Sequence, residues 1–205
     1  MNYETNIELI DGMKRNGTIR SEDIAKAFET IDRKYFIPTE YSEHIYLDRP
    51  LPIGKNQTIS QPSTVAFMLE LLEAKKGNSV LDIGSGSGWT TGLLGNLVGE
   101  KGTVEGLERV DELVKVGQNN IAKLNMKNIS IEKVSDKLGK PERTFDAILV
   151  SASAQEIPRE LFDQLKIGAN LVIPVKNSIF KFHKISQEKI ETQEYQGFAF
   201  VPLIY

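Results

Sequence analysis

Two clusters of residues in this chain have types and spacings that could do chemistry. The first is Asp82-Ile83-Gly84-Ser85-Gly86-Ser87-Gly88, where an apolar run ends in an acid and breaks into three glycines at alternate positions. The second is Gln57-Thr58-Ile59-Ser60, whose amide and hydroxyl groups both donate and accept hydrogen bonds. A glycine-rich turn between a strand and a helix lets a ligand approach bare backbone, and the unpaired N–H groups of the helix start face it. The hydroxyl-bearing stretch has what is needed to orient a second, polar reactant.

The glycine spacing narrows the ligand. A dinucleotide cradle has G-x-G-x-x-G, and here Gly88 is followed by Trp89, so the loop is tighter. A phosphate-binding loop would need Gly-Lys-Ser/Thr, which is missing. Asp82 would repel a phosphate and attract an ammonium group. Glu108 stands 20 residues beyond Gly88, at the end of the next strand, where a carboxylate can accept hydrogen bonds from ribose hydroxyls. A ribose without phosphate and with a cationic end describes S-adenosyl-L-methionine. The expected cofactor contacts are Asp82, Gly84, Ser85, Gly86, Ser87, Gly88 and Glu108.

The elements that must position these groups follow from periodicity. Ile7, Ile10 and Met13 predict a first helix ended by Gly17, and Ser21-Glu22-Asp23 caps a second with Ile24, Phe28 and Ile31 on its apolar side. From Tyr35 to Pro62 regular periodicity vanishes, but the aromatic content favours an ordered, functional loop. Pro62 and Ser63 open a helix with Val65, Met68, Leu69 and Leu72 inward, ending by Gly77. Ser60 also suits the cap of that helix.

Val80 to Ile83, a helix from Trp89 to Val98 and Thr103 to Leu107 form a βαβ unit. A helix from Val110 to Leu124 and strands at 129–131 and 145–150 extend it. Pro158 and Glu160 begin a helix holding Leu161, Phe162 and Leu165. A strand covers 170–175, and Phe180–Ile185 with Tyr195–Ile204 alternate as an antiparallel pair.

These readings, taken with Asp48-Arg49-Pro50-Leu51-Pro52-Ile53-Gly54, Gln57 to Pro62, Phe145 to Val150, Ile157-Pro158, Leu171 to Val175 and Phe200-Val201-Pro202-Leu203, resemble the protein-L-isoaspartate O-methyltransferases over nearly the whole chain. The resemblance implies an α/β class I (Rossmann-like) methyltransferase sandwich, with a seven-stranded, mostly parallel sheet, a reversed C-terminal strand and an N-terminal helical and loop extension. It implies carboxyl methylation of L-isoaspartyl residues in damaged proteins and peptides. It assigns Ser60 and Thr58 to catalysis, Gln57, Ile59, Ser151 and Val201 to the substrate, and Asp136 to the adenine.

The chain departs from the family at Val134-Ser135-Asp136-Lys137, where Gly-Asp-Gly is usual. It departs again at Ser151-Ala152-Ser153-Ala154-Gln155, in place of alanines and a proline, and at Ser63, usually aromatic or His. These changes touch the substrate cleft more than the cofactor. They keep open a same-fold enzyme acting on another peptide carboxylate, and a catalytically silent cofactor-binding module.

Composition sets the outer bounds. With 205 residues, 40% apolar and 26% charged, the chain can bury roughly 70% of its unfolded surface and is expected to form one domain over 1–205. Within it, 1–62 would hold the N-terminal helices and substrate loop, and 63–205 the cofactor core and C-terminal hairpin. A net charge of −3, with both signs interleaved, argues against a nucleic-acid partner. There is no cysteine, no membrane-length apolar run and no signal-peptide pattern, so a soluble cytoplasmic protein without a membrane partner is expected, and it is taken to be a monomer. No spacing of ligating residues suggests a metal, and His44 and His183 read as surface or packing residues. Trp89 could wall the cofactor pocket or pack in the core.

Overall fold

The computed structural model describes residues 3–204. Helix α1 (Asn6–Arg15) is capped by Thr5, whose hydroxyl accepts from the Glu8 N–H at 3.2 Å. Its buried arc is Leu9, Ile10 and Met13, while Ile7, expected on that stripe, is 67% exposed. At about 100° per residue, Ile7 falls across the helix from the Leu9 side of the arc. Helix α2 (Glu22–Thr30) starts at Ser21, as expected, but that side chain makes no cap bond. Glu70 instead accepts from the Arg20 and Ser21 N–H groups, both at 2.8 Å.

The stretch expected to be irregular holds structure of its own. Two 3-10 turns, Arg33–Phe36 and Thr39–His44, lead into a hairpin of β1 (Leu51–Gly54) and β2 (Gln57–Ile59). Lys55 and Asn56 form its turn with φ of 53° and 57°, the two consecutive positive values of a type I′ hairpin. Strands of four and three residues are too short to show a period, and Lys-Asn is a weak turn signal.

Helix α3 (Pro62–Leu72) buries Val65, Met68, Leu69 and Leu72 and ends ahead of Gly77, as expected, with Glu73 as its C-cap. Its first turn is capped from outside by Asp48, which accepts from the Ser63 N–H at 2.8 Å. Then come β3 (Ser79–Ile83), α4 (Trp89–Val98), β4 (Thr103–Glu108), α5 (Asp111–Ala122), β5 (Ile129–Lys133) and β6 (Phe145–Val150). The chain closes with α6 (Glu160–Asp163), β7 (Leu165–Val175), β8 (Ser178–Lys184) and β9 (Ile190–Gln196).

The seven-stranded sheet has the order β5-β4-β3-β6-β7-β8-β9. Strands β3 to β7 are parallel; β8 is reversed, and β9 turns back beside it. The reversed strand is therefore the penultimate one. Alternation along the strands separates two apolar layers: Val80 and Leu149 face the N-terminal helices, while Leu81, Ile148 and Val150 face the Leu161 side.

Two expectations for the C-terminal third are corrected. The helix begun at Glu160 is a single turn, and Leu165 belongs to β7. Gln164, fully buried, donates to the carbonyls of Leu138 and Glu160, and the Lys184 ammonium takes the carbonyls of Phe162 and Leu165, so the helix cannot continue. The second tail strand covers 190–196, not 195–204. Gly197, at φ 97°, turns the chain out of the sheet, and Val201 and Leu203 bond to Ser153 in the loop after β6, at 2.8 Å each.

Candidate active site

The loops on the glycine side of the site leave the carboxyl ends of parallel strands β3, β4, β5 and β6, where open α/β sheets bind their ligands. After Ile83 the chain turns tightly: the N–H groups of Gly84 and Ser85 donate to the Leu107 carbonyl, and that of Gly88 to Ser85. Gly84, Gly86 and Gly88 have φ of 83°, 52° and 91°. A Cβ on Gly88 would also stand 3.0 Å from Ile121 and 3.2 Å from the Gly117 carbonyl. The glycine at that position thus serves both the turn and the close packing of α4 on α5.

Glu108 ends β4 and is 7% exposed. One carboxylate oxygen accepts from the Gly86 N–H at 2.9 Å, the other from those of Arg109 and Val110 at 2.8 and 2.9 Å. A carboxylate has about four acceptor positions, so one remains, on the oxygen facing the glycine loop. With Leu107, Arg109, Val110, Val134 and Leu138, Glu108 lines a mixed polar and apolar cavity beside Gly84 and Gly86. At the start of α4, Ser85 and Ser87 are 5% and 3% exposed and border a smaller recess. The Ser85 hydroxyl finds no partner among the described residues. An acid at the strand end, an apolar wall and an orphaned buried hydroxyl by a helix start fit an adenosyl amino acid.

Three expected cofactor contacts, Asp82, Gly88 and Asp136, line none of these cavities. Asp82 is fully buried; Thr91 donates to it at 2.6 Å, and its other oxygen has no hydrogen-bond partner among the described residues. Burial pushes its carboxyl up to about 7, against the Thr91 hydrogen bond and with help from the Glu108 charge. Asp136 is exposed in the loop after β5, between Val134 and Leu138, which do line the cavity.

The acceptor-side residues converge. Thr58 and Ser151 line the adenosyl-type cavity, the recess at the serines and a third cavity of about 500 Å3. Ser60 borders the last two, and Val201 the first and third. Gln57 lines only the first of the three, and Ile59, 4% exposed, is mainly a core residue that reaches the recess. The third cavity also takes Thr64, on the first turn of α3, and Phe198 and Phe200, which sequence reasoning missed because it placed the tail in the sheet. Ser60 does not cap α3, since Asp48 does. Neither His44 nor His183 lines these cavities; His183 pairs with Asn170 at 2.8 Å.

Behind the acceptor wall lies Arg33, fully buried. It donates to the carbonyls of Ile45, Leu47, Arg49 and Ser60, and its guanidinium sits 5.4 Å over the Trp89 ring. Burial draws it down to about 9 while Asp48 opposes the shift, so it is cationic at neutral pH. Trp89 reconciles both of its expected roles: it borders the recess, and its ring packs on Phe28 and donates to the Ile31 carbonyl. The one signal for Arg33 in the sequence is a cation set among Phe28, Ile31 and Phe36.

A sheet of this order with one reversed strand, alternate glycines after its first parallel strand and an acid after the second defines a Rossmann-like methyltransferase. Comparison with known proteins makes this specific. Residues 4–205 match the family described as protein-L-isoaspartate(D-aspartate) O-methyltransferase, and the chain belongs to that family.

The Protein-L-isoaspartate O-methyltransferase of Pyrococcus horikoshii is 38% identical over 98% of this chain and 94% of its own. That of Fervidobacterium nodosum is 43% identical over 89% and 94%. A crystal structure from Plasmodium falciparum, described as a protein-L-isoaspartate O-methyltransferase in complex with S-adenosyl-L-homocysteine, superposes with a TM-score of 0.87. It is 29% identical and covers 98% of this chain and 99% of that one.

Proposed function

We propose that this protein transfers a methyl group from S-adenosylmethionine to the carboxylate of L-isoaspartyl residues in damaged proteins and peptides. The observation that carries this reading is the shared wall: Thr58 and Ser151 border both the glycine-loop cavity and the neighbouring one, so donor and acceptor can meet there. When bound, S-adenosylmethionine supplies an electrophilic methyl on a sulfonium. Glu108 would accept from a ribose hydroxyl; Ser85, Ser87 and the backbone at the start of α4 would hold the amino-acid end, and Val134 and Leu138 the adenine face.

An isoaspartyl carboxylate ionises near pH 4 and is already a nucleophile at neutral pH, so no general base is needed. The chain's task is alignment and removal of bulk water, and alignment alone can contribute about 7–11 kcal/mol. The Ser60 hydroxyl would donate to the acceptor carboxylate and aim it, with Thr58 and Ser151 shaping the passage and Val201 its far side. The apolar cluster that joins Leu9, Phe28 and Ile59 to Val80 and Val172 supports treating 1–62 and 63–205 as parts of one catalytic domain.

Among the described residues no helix is long and apolar enough to cross a membrane. We take the enzyme to act in the cytoplasm, where a cysteine-free chain suits the reducing conditions, and to act as a monomer. The test offers labelled cofactor with an isoaspartyl peptide and with its normal aspartyl twin. Label on the isoaspartyl peptide alone is expected; label on the twin alone, or on neither, overturns the proposal.

A further inference from the structure

Away from the active site the sequence holds a single Asn-Gly pair, Asn16–Gly17. It lies where α1 ends: Asn16 is the C-cap, with φ −87° and ψ 0°, and Gly17 is left-handed at φ 77°. Both are exposed, and a Cβ on Gly17 would meet nothing within 4 Å. A residue without a side chain leaves its amide nitrogen free to reach the preceding side-chain carbonyl. At the exposed pair itself the Gly17 N–H donates to Lys14 at 3.1 Å, and Asn16 Oδ1 accepts from the Thr18 N–H at 3.0 Å. Exposed last-turn bonds of this kind open first in a folded protein. By contrast, Asp11–Gly12 lies inside α1 with Gly12 buried.

We propose that Asn16–Gly17 is a site of spontaneous isoaspartate formation, which makes an aged copy of this chain a substrate for an intact one. The inference rests on the isoaspartyl methyl transfer argued above. The Gly17 amide nitrogen gives its proton to water and attacks Asn16 Cγ. The new N–Cγ bond closes a succinimide ring while the Cγ–Nδ2 bond breaks and ammonia leaves. Water then opens either ring carbonyl, giving aspartate or isoaspartate, with no change of oxidation state.

The isoaspartyl product carries an extra backbone methylene in a tight clasp. The N–H groups of Thr18 and Ile19 both donate to Met13, at 2.9 and 3.0 Å, and Ile19 is buried. Lengthening the chain there loosens the clasp and lets the segment extend into the cleft of another molecule. Leu9, Ile10 and Met13 keep α1 anchored in its own core, so an intact copy serves it.

The experiment ages the full-length protein and its Asn16→Gln variant in mildly alkaline buffer. Each is then offered to fresh enzyme with labelled cofactor, beside a synthetic isoaspartyl peptide. Electron-transfer mass spectrometry reads position 16 directly. Isoaspartate at 16 that grows with time, and label that is lost in Asn16→Gln, are expected. Position 16 intact or purely aspartyl after ageing overturns the proposal, as does isoaspartate at 16 left unlabelled while the peptide is labelled. An unlabelled peptide overturns the methyl-transfer reading itself, and the substrate role of position 16 with it.

Discussion

The Arg33 guanidinium donates to the main-chain carbonyl of Ser60 at 2.9 Å, tying the residue assigned to hold the acceptor carboxylate to a fully buried cation. The same guanidinium reaches the carbonyls of Ile45, Leu47 and Arg49 and rests on Trp89 at the start of α4. It therefore braces the acceptor wall against the helix that follows the glycine loop. Arg33→Met takes the donor from four partly buried carbonyls and breaks a buried cation's contacts, and should cost about 3–5 kcal/mol in urea unfolding. Arg33→Lys keeps the charge but has only three donors. It should lower kcat while cofactor affinity, measured by calorimetry, stays within about twofold, since small misplacement of a reactant weighs heavily on rate.

Ser60→Ala removes a hydrogen bond to a charged acceptor. Such bonds contribute about 1.5–3 kcal/mol, so kcat/KM on an isoaspartyl peptide should fall by about 10- to 100-fold. Because Asp48, and not Ser60, caps α3, thermal stability should be nearly unchanged. A large loss of stability with little loss of rate would return Ser60 to a structural role.

Glu108→Gln turns an acceptor that faces three backbone N–H groups into a group that is partly a donor. One of those N–H groups belongs to Gly86, so the glycine loop should lose its anchor along with the ribose contact. Cofactor affinity should fall about tenfold or more, and stability by about 1–3 kcal/mol. Calorimetric titration and urea unfolding read the two effects separately.

Asp82 predicts a pH dependence. Its folded-state value of about 7 lies above the ordinary carboxyl value, so between roughly pH 4 and 7 the folded protein binds more protons than the unfolded chain. Its contribution to stability is complete below that window, falls as pH rises through it and levels off above. Asp82→Asn, which keeps the shape of the neutral acid, should flatten the unfolding free energy across the window. An unchanged pH profile in Asp82→Asn would show that other groups set it.

Much of the parallel core was legible in the residues. The helix Trp89–Val98 and the strand Phe145–Val150 have the bounds that periodicity predicts, because each is a largely buried run. The cofactor loop was legible for a related reason: alternate glycines after a strand let the chain take the left-handed turn that a ligand-binding loop needs. The hairpin at Leu51–Ile59 was not, because its strands are shorter than any detectable period. The path of 197–204 was not either, because Val201 and Leu203 alternate with their neighbours as a strand would, yet their backbone partner is Ser153 in a distant loop.

By itself, the sequence determined the class of fold, the donor loop and the two acids beside it, since local chain geometry dictates those. Only the tertiary structure decided which acid faces the ligand. Asp82 and Glu108 are both buried, but β3 turns Asp82 inward to Thr91, while the end of β4 leaves Glu108 at the cavity. It also decided that Thr58, Ser60, Ser151 and Val201 share one wall, backed by Arg33. Those residues come from a hairpin, a strand end and the chain's tail, and long-range packing, which no local pattern encodes, is what brings them together.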